Sequence, residues 1–320
     1  MHRRIGGVRG SGVTIRNDEA WPALPYAEWA PTKKTLHMVA QMLGKARLAL
    51  APPEAEWLQA CLYLDARGFT TGVMPFGTDV VSIGIDVHEL VIRIDVSDGR
   101  RASVSIGPDR SVAAIWADFR AALDGLGIDA DIWQKPQELP DTTPFSENRH
   151  DCTVVPEHAQ RFHRVLCAID GAFEEFRSPF FGRTGVQFWW GGFDFAVLLF
   201  TGRHLAAPTD RGYIMRYDLD AEQLNAGFWP GDDTAPEARF WAYVVPRPDG
   251  CEVAPIRPAP AAWVEAISEW ILSYEQVRAS DDPRRAILDF LDSVYRVAVT
   301  NGGWDAAAQH YAAPPPAPRA

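Results

Sequence analysis

Basic clusters, closely spaced cysteines, long apolar runs and the common catalytic motifs are all missing from this sequence. Lysine and arginine total 31 against 42 aspartates and glutamates, a formal net charge of −11. Such a surface repels a phosphate backbone, and no basic stripe interleaves with aromatics, so nucleic acid is not an expected partner. The four cysteines, Cys61, Cys152, Cys167 and Cys251, show no CxxC spacing. In a chain of 320 residues they read as reduced thiols. The basic N-terminus is followed by no apolar signal-peptide core, so a cytoplasmic location is expected. No apolar run is long enough for a membrane span, so no membrane association is expected. GxGxxG after a strand, the P-loop, GxSxG and HExxH do not occur, which removes the familiar nucleotide, hydrolase and zinc-protease readings. "GGVRGSG" near the start is glycine-rich, but no strand precedes it. No cofactor is implied.

Aromatic side chains are abundant: twelve Trp and sixteen Phe, in a chain that is 47% hydrophobic. Large rings lose little rotamer entropy when they line cores or pockets. At this length roughly three quarters of the unfolded surface can be buried.

The periodicity predicts an α+β fold of antiparallel β-sheets flanked by helices. Residues 1–19 and 306–320 are expected to be disordered. A first half spans 20–133. It opens with a helix over 32–50, whose apolar face is Leu36, Val39, Ala40 and Leu43. A hairpin turning at Asp65–Gly68 follows. Val81, Ile83 and Ile85 are apolar at odd positions, whereas Ile92, Ile94 and Val96 are apolar at even ones. One strand cannot change faces in this way, so a turn is placed near Asp86–Glu89. "RASVSIG" adds a fifth strand. Ser111 then caps a helix faced by Val112, Ile115, Trp116, Phe119 and Leu123, which stops near Gly127.

The Pro-rich polar stretch 134–152 is the expected linker. A second half, 153–305, opens with a helix striped by Phe162, Val165, Leu166, Ile169, Phe173 and Phe176. Strands are expected at about 186–190, 193–200, 212–218 and 239–245. Two helices should close it. One carries Trp263, Ile267, Trp270, Ile271 and Tyr274; the other starts at Asp282–Pro283. Both halves thus read helix, strands, helix, which suggests an internal duplication.

Several segments together resemble an uncharacterised bacterial family, domain of unknown function 5996. They are "WPALPYAEWAPTKKTLHMVAQMLGKARLAL", "LYLDARGFTTGVMPFG", "GGFDFAVLLFTGR", "AGFWPG" and "SYEQVRASDDP". The resemblance covers almost all of residues 21–305. It implies no assigned activity and transfers no catalytic residue. Its pattern implies histidine in relatives near the Trp matching Trp57, before the following Phe/Trp strand, and ahead of "AGFWPG". This chain has Glu56 and Gln59, Gln187, and Ala221 there. A metal or acid–base role of those histidines would therefore be lost here.

Asp194, in "VQFWWGGFDFAVLLFTGRH", stands in a strand that is apolar on both faces. It should be buried and paired, with Arg183, Arg203 and Arg216 as candidate partners. His37, Gln41 and Lys45 form a polar stripe beside the first helix's apolar face, suited to the rim of a pocket. "AGFWPGD" reads as a turn anchored by Phe228 and Trp229. His150, Cys152, His158, His163 and Cys167 invite a zinc reading, but His158 and His163 are five apart on a helix, and only His163 and Cys167 share a face. No metal is expected.

These features lead to a small, partly apolar ligand as the expected partner, held between sheet and helices. The pocket candidates are His37, Gln41, Trp189, Trp190, Asp194, Arg203 and Trp229. The alternatives are an enzyme, such as a hydrolase using His37 or His150 with Asp194, and a protein–protein interaction module anchored by aromatics. The catalytic residues, the ligand's identity and the oligomeric state are not legible at this stage.

Overall fold

A computed structural model describes residues 20–210 and 213–311 of the chain. Helix α1, Tyr26–Leu50, begins earlier than expected and takes Pro31 into its second turn. It is buried nearly all round, so it carries a polar stripe inside the molecule as well as an apolar one. Its apolar face lies on a five-stranded meander: β1 Tyr63–Asp65, β2 Gly68–Phe76, β3 Asp79–Asp86, β4 Val91–Val96 and β5 Arg101–Ser105. The phase change along 81–96 is the β3–β4 turn. Asp86 fixes that turn by accepting from the backbone N–H groups of His88 and Glu89 (2.9 and 3.0 Å) and by pairing with Arg67. Helix α2, Val112–Gly125, follows a two-residue strand β6, Arg110–Ser111, and Ser111 caps it by accepting from Ala114 N–H. Gly127 supplies the left-handed residue (φ 74°) just beyond its end.

Residues 134–150 form no regular element, but they are not free. Phe145 is fully buried and packs on Trp116. Strand β7, Asp151–Cys152, pairs with β6. Helix α3, Pro156–Arg177, buries the whole expected stripe from Phe162 to Phe176.

The second sheet has six antiparallel strands, in the order β12-β13-β11-β10-β9-β8. They are β8 Gln187–Trp189, β9 Asp194–His204, β10 Ala221–Trp229, β11 Arg239–Val245, β12 Ala262–Val264 and β13 Glu269–Ser273. Three expectations are corrected here. The stretch 212–218, expected as a strand, holds helix α4, Tyr213–Asp218. "AGFW" belongs to β10, and only Pro230–Gly231 turns, with Gly231 at φ 87°. The expected helix around Trp263 is the β12–β13 hairpin, in which Trp263 pairs with Trp270 edge to face at 5.0 Å. The apolar spacing at 270 and 274 fits either period, and pairing of β13 with β11 decides it. Helices α5 Tyr274–Arg278, α6 Pro283–Thr300 and α7 Ala306–Gln309 complete the chain, with α6 capped by Asp282 as expected. Helix α7 falls within the stretch expected to be disordered; residues 1–19 and 312–320 lie outside the described residues.

The fold is therefore α+β with antiparallel sheets. The halves share an element order, but one sheet is a simple meander and the other places β13, not β12, beside β11. The likeness stops at element order. One face of the second sheet, carrying Phe195, Phe228, Phe240 and Leu272, packs against α3, α5 and α6. The two sheets meet where Leu62 and Phe188 exchange backbone hydrogen bonds (2.9 and 2.8 Å).

Candidate functional site

The polar stripe of α1 organises the centre of the molecule. His37 is buried, and its Nε2–H reaches the carbonyls of Trp190 (2.9 Å) and Gly191 (2.8 Å). Burial, and next Lys33, push its pKa down to about 3, so the ring is neutral. Gln41 donates to the Gln137 carbonyl (2.7 Å) and accepts from the Gln137 N–H (3.0 Å). Lys45 donates to Gln137 Oε1 (3.1 Å) and lies over the ring of Trp133 (4.3 Å); burial pushes its pKa down to about 8. One helix face thus holds both the 137–138 segment and the β8–β9 turn. In that turn Phe193 takes a left-handed conformation (φ 69°), which its stacking on Phe162 at 5.5 Å holds in place.

The clamp brings Glu138 against Gly191–Gly192. A Cβ built on Gly191 would lie 2.6 Å from Glu138 Oε1, and one on Gly192 would lie 3.7 Å from Glu138 Oε2 and collide with Asp194 Oδ2. A larger residue at either position would push one of the two carboxylates aside. Asp194 keeps part of its surface, yet burial, and next Glu138, push its pKa up to about 7. A carboxylate that is both exposed and strongly desolvated lies in a concavity. Among the described residues Asp194 pairs with no arginine. Its carboxylate accepts from the Trp241 indole N–H (3.2 Å). Arg203 pairs with Glu222 instead, and Arg183 donates to the Phe180 carbonyl.

A cavity of about 550 Å³ opens beside this turn, between α1, the 138–153 segment and the loop after β10. Ala30, Pro31, Met38 and Val112 form its apolar side, and Lys33, Glu138 and Asp232 are among its polar groups. Lys33 is 5% exposed and makes no hydrogen bond or ion pair with a described residue; its nearest ring is Phe193, 5.3 Å away. Burial lowers its pKa, while Asp232 and Asp194 act the other way.

Of the seven candidates, His37 and Trp229 line this cavity. Gln41 and Trp190 lie behind it, with the Trp190 indole donating to the Ala60 carbonyl (2.6 Å). Trp189 and Asp194 stand opposite each other on the polar face of the second sheet. Arg203 is elsewhere, on a second cavity of about 430 Å³ that also includes Glu54, Glu56, Gln187 and Ala221. Three of the four positions expected to hold histidine in relatives therefore converge on one cavity, and Gln59 is buried close by in sequence. Glu56 and Trp57 there take left-handed backbone (φ 55° and 57°), and burial, then Asp220, push Glu56 up to about 7. His150 stands 3.6 Å from Asp141 on the first cavity and has no contact with Asp194. His163 bonds the Asp65 carbonyl (2.8 Å), with Cys167 beside it. Among the described residues no cluster of three or more His, Cys, Asp or Glu is placed to hold a metal ion, and no helix is long and apolar enough to cross a membrane.

The sequence reading missed Lys33, Glu138 and Trp241. Lys33 had a signal, since it precedes His37 by four residues on the same helix stripe. Trp241 had one too, as an aromatic alternating along an expected strand. Glu138 had none. No curated protein and no solved structure matches the chain. A family model does match, over residues 21–311, so the chain belongs to DUF5996, a family of unknown function.

Proposed function

We propose that the protein binds a small, partly apolar ligand in the 550 Å³ cavity between α1, the 138–153 segment and the loop after β10. The observation that carries this is Lys33: a buried ammonium with no hydrogen-bond or ion-pair partner among the described residues, at the wall of a cavity with an apolar side. Burying an unpaired charge is costly, and an acidic or acceptor group on a ligand would offset that cost. A few polar groups in a mostly apolar concavity are the usual make-up of a small-molecule site. A hydrolase using His37 or His150 with Asp194 is less well supported, because the His37 Nε2–H is engaged by backbone carbonyls and His150 faces Asp141. Of the exposed aromatics Trp133, Phe181, Tyr217 and Tyr311, Phe181 and Tyr311 meet (6.0 Å) and the other two lie on separate segments, which gives an interaction module little to build on.

The test uses 1-anilinonaphthalene-8-sulfonate, an apolar anion whose fluorescence rises on burial. The folded protein should bind it saturably. Met38→Trp, which fills the cavity, should abolish the signal. Lys33→Met should weaken binding by about tenfold, equivalent to roughly 1.4 kcal/mol. Unchanged binding in both variants, with unfolding midpoints intact, would reject the cavity as the site.

A further inference from the structure

We propose that the polar face of the six-stranded sheet carries a second site, which takes a small organic cation. Strand alternation places Gln187, Asp194, Gln223, Asn225, Trp241 and Tyr243 on one side of β8–β11, opposite the side packed on α3, α5 and α6. Glu269 falls on the same side, since Trp270, its neighbour in β13, pairs with Ala242. Helices α3, α5 and α6 pack on the other side, whereas this face meets the end of α4, where the Asp218 carbonyl accepts from Gln223.

What the face offers is one-sided. Its floor is aromatic: the Trp241 ring lies over Gly227, where a Cβ would come within 2.5 Å of it, and stacks on Tyr243 at 5.8 Å. Round it stand Asp194, Asp218, Glu138 and Glu269, none of which forms an ion pair with a described residue. The local cation on β11, Arg239, is turned onto the Trp229 ring (4.6 Å). Three amides add acceptors without donors. The side-chain oxygens of Gln187, Gln223 and Asn225 have no partner among the described residues, and these residues are 2%, 0% and 6% exposed. Gln223 is fixed in this orientation because its amide N–H donates to the Asp218 carbonyl (2.5 Å).

Carboxylates without a counter-charge, acceptors without donors and open ring faces lack the same three things: positive charge, N–H donors and an apolar flank. An alkyl- or arylammonium supplies all three, and ring faces attract such cations directly. A metal ion fits less well, since the described acidic groups do not converge as a metal-ligand cluster. Burial, and the acids' nearness to one another, push Asp194 and Asp218 up to about 7 and about 6; burial alone does so for Glu269, to about 7, with Arg239 opposing. A bound cation would relieve that cost. Glu138 also lines the Lys33 cavity, but Asp194, Asp218, Tyr243, Trp241 and Glu269 do not, so the two sites share one wall and are otherwise separate.

The test titrates the full chain at pH 8 with benzylammonium and with benzyl alcohol, its uncharged counterpart, following tryptophan fluorescence. Benzylammonium should bind saturably and at least about tenfold more tightly than the alcohol. Asp194→Asn should weaken it about tenfold without lowering the unfolding midpoint, whereas Met38→Trp should leave it unchanged. At pH 6 affinity should fall, because Asp194, Asp218 and Glu269 gain protons. Glu138, which burial also shifts upward, adds to the fall. The other groups that face them are Lys33, Arg239 and Tyr243, the last held neutral by burial. Equal affinity for the two probes, no saturation by about 10 mM, or full binding by the Asp194→Asn variant would each overturn the proposal. Loss of anilinonaphthalene binding with benzylammonium binding intact would instead reject only the first site.

Discussion

At Asp194 the carboxyl titrates at about 7 in the folded chain, against about 3.9 when unfolded. The sign of the stability effect follows directly. The folded state holds the proton more tightly, so this residue favours folding most below pH 4, and the contribution is lost as pH rises through 7. Among the described residues no arginine pairs with the carboxylate; Trp241 supplies one hydrogen bond. Asp194→Asn keeps an acceptor for that indole and removes the charge. At pH 8 the variant should therefore exceed wild type in stability by on the order of 1–3 kcal/mol, after allowance for partial solvation of the group. At pH 5 the gap should shrink. Urea unfolding at both pH values measures it, and a gap that does not change with pH would show that Asp194 titrates as an ordinary surface acid. The sequence alone pointed to a buried acid, because the strand around it is apolar. It misassigned the partner, because nearby arginines are visible in sequence whereas Trp241, 47 positions away, is brought in only by sheet pairing.

Helix α1 shows how an element can be legible while its purpose is not. Helical spacing set His37, Gln41 and Lys45 in one line, and that line exists. What docks on it comes from 96 and 153 positions away, at Gln137 and Trp190, and periodicity carries no such information. Strand β10 was missed for a related reason. Glu222, Gln223 and Asn225 are buried polar residues, and a strand with one polar buried face breaks the apolar alternation that marks strands. Helix α4 and the β12–β13 hairpin depended on tertiary pairing in the same way. The clamp itself is testable. Gln41→Ala leaves the half-buried N–H and C=O of Gln137 without these partners, at a cost of about 1 kcal/mol. Amide exchange at Gln137 should quicken while the β9–β11 amides stay protected. Unchanged exchange at Gln137 would mean that the 134–141 segment is held by other contacts.

At the scale of the whole molecule, the two sheets are joined by packing more than by strand pairing. Among the described residues only Leu62 and Phe188 bridge them by backbone pairing. Around that bridge an aromatic chain crosses from one half to the other: Phe69 of β2 meets Phe188 of β8 at 4.5 Å, Phe188 meets Phe193 at 4.8 Å, Phe193 stacks on Phe162 of α3, and Phe162 meets Trp29 of α1 at 4.8 Å. All five side chains are at most 1% exposed. Residues 20–133 and 153–305 therefore bury a shared core, whatever the Pro-rich stretch between them suggests about a boundary. Separate units would retain separate cores, and each would melt at its own temperature. The shared rings lead to one cooperative transition in calorimetry, with equal calorimetric and van't Hoff enthalpies. Phe188→Ala removes the central ring of the chain and should cost about 3–5 kcal/mol. Because the ring belongs to both halves, that loss should lower the single transition as a whole. Two resolved transitions, with Phe188→Ala shifting only one, would show that the halves fold independently and that the aromatic crossing is a contact between finished domains.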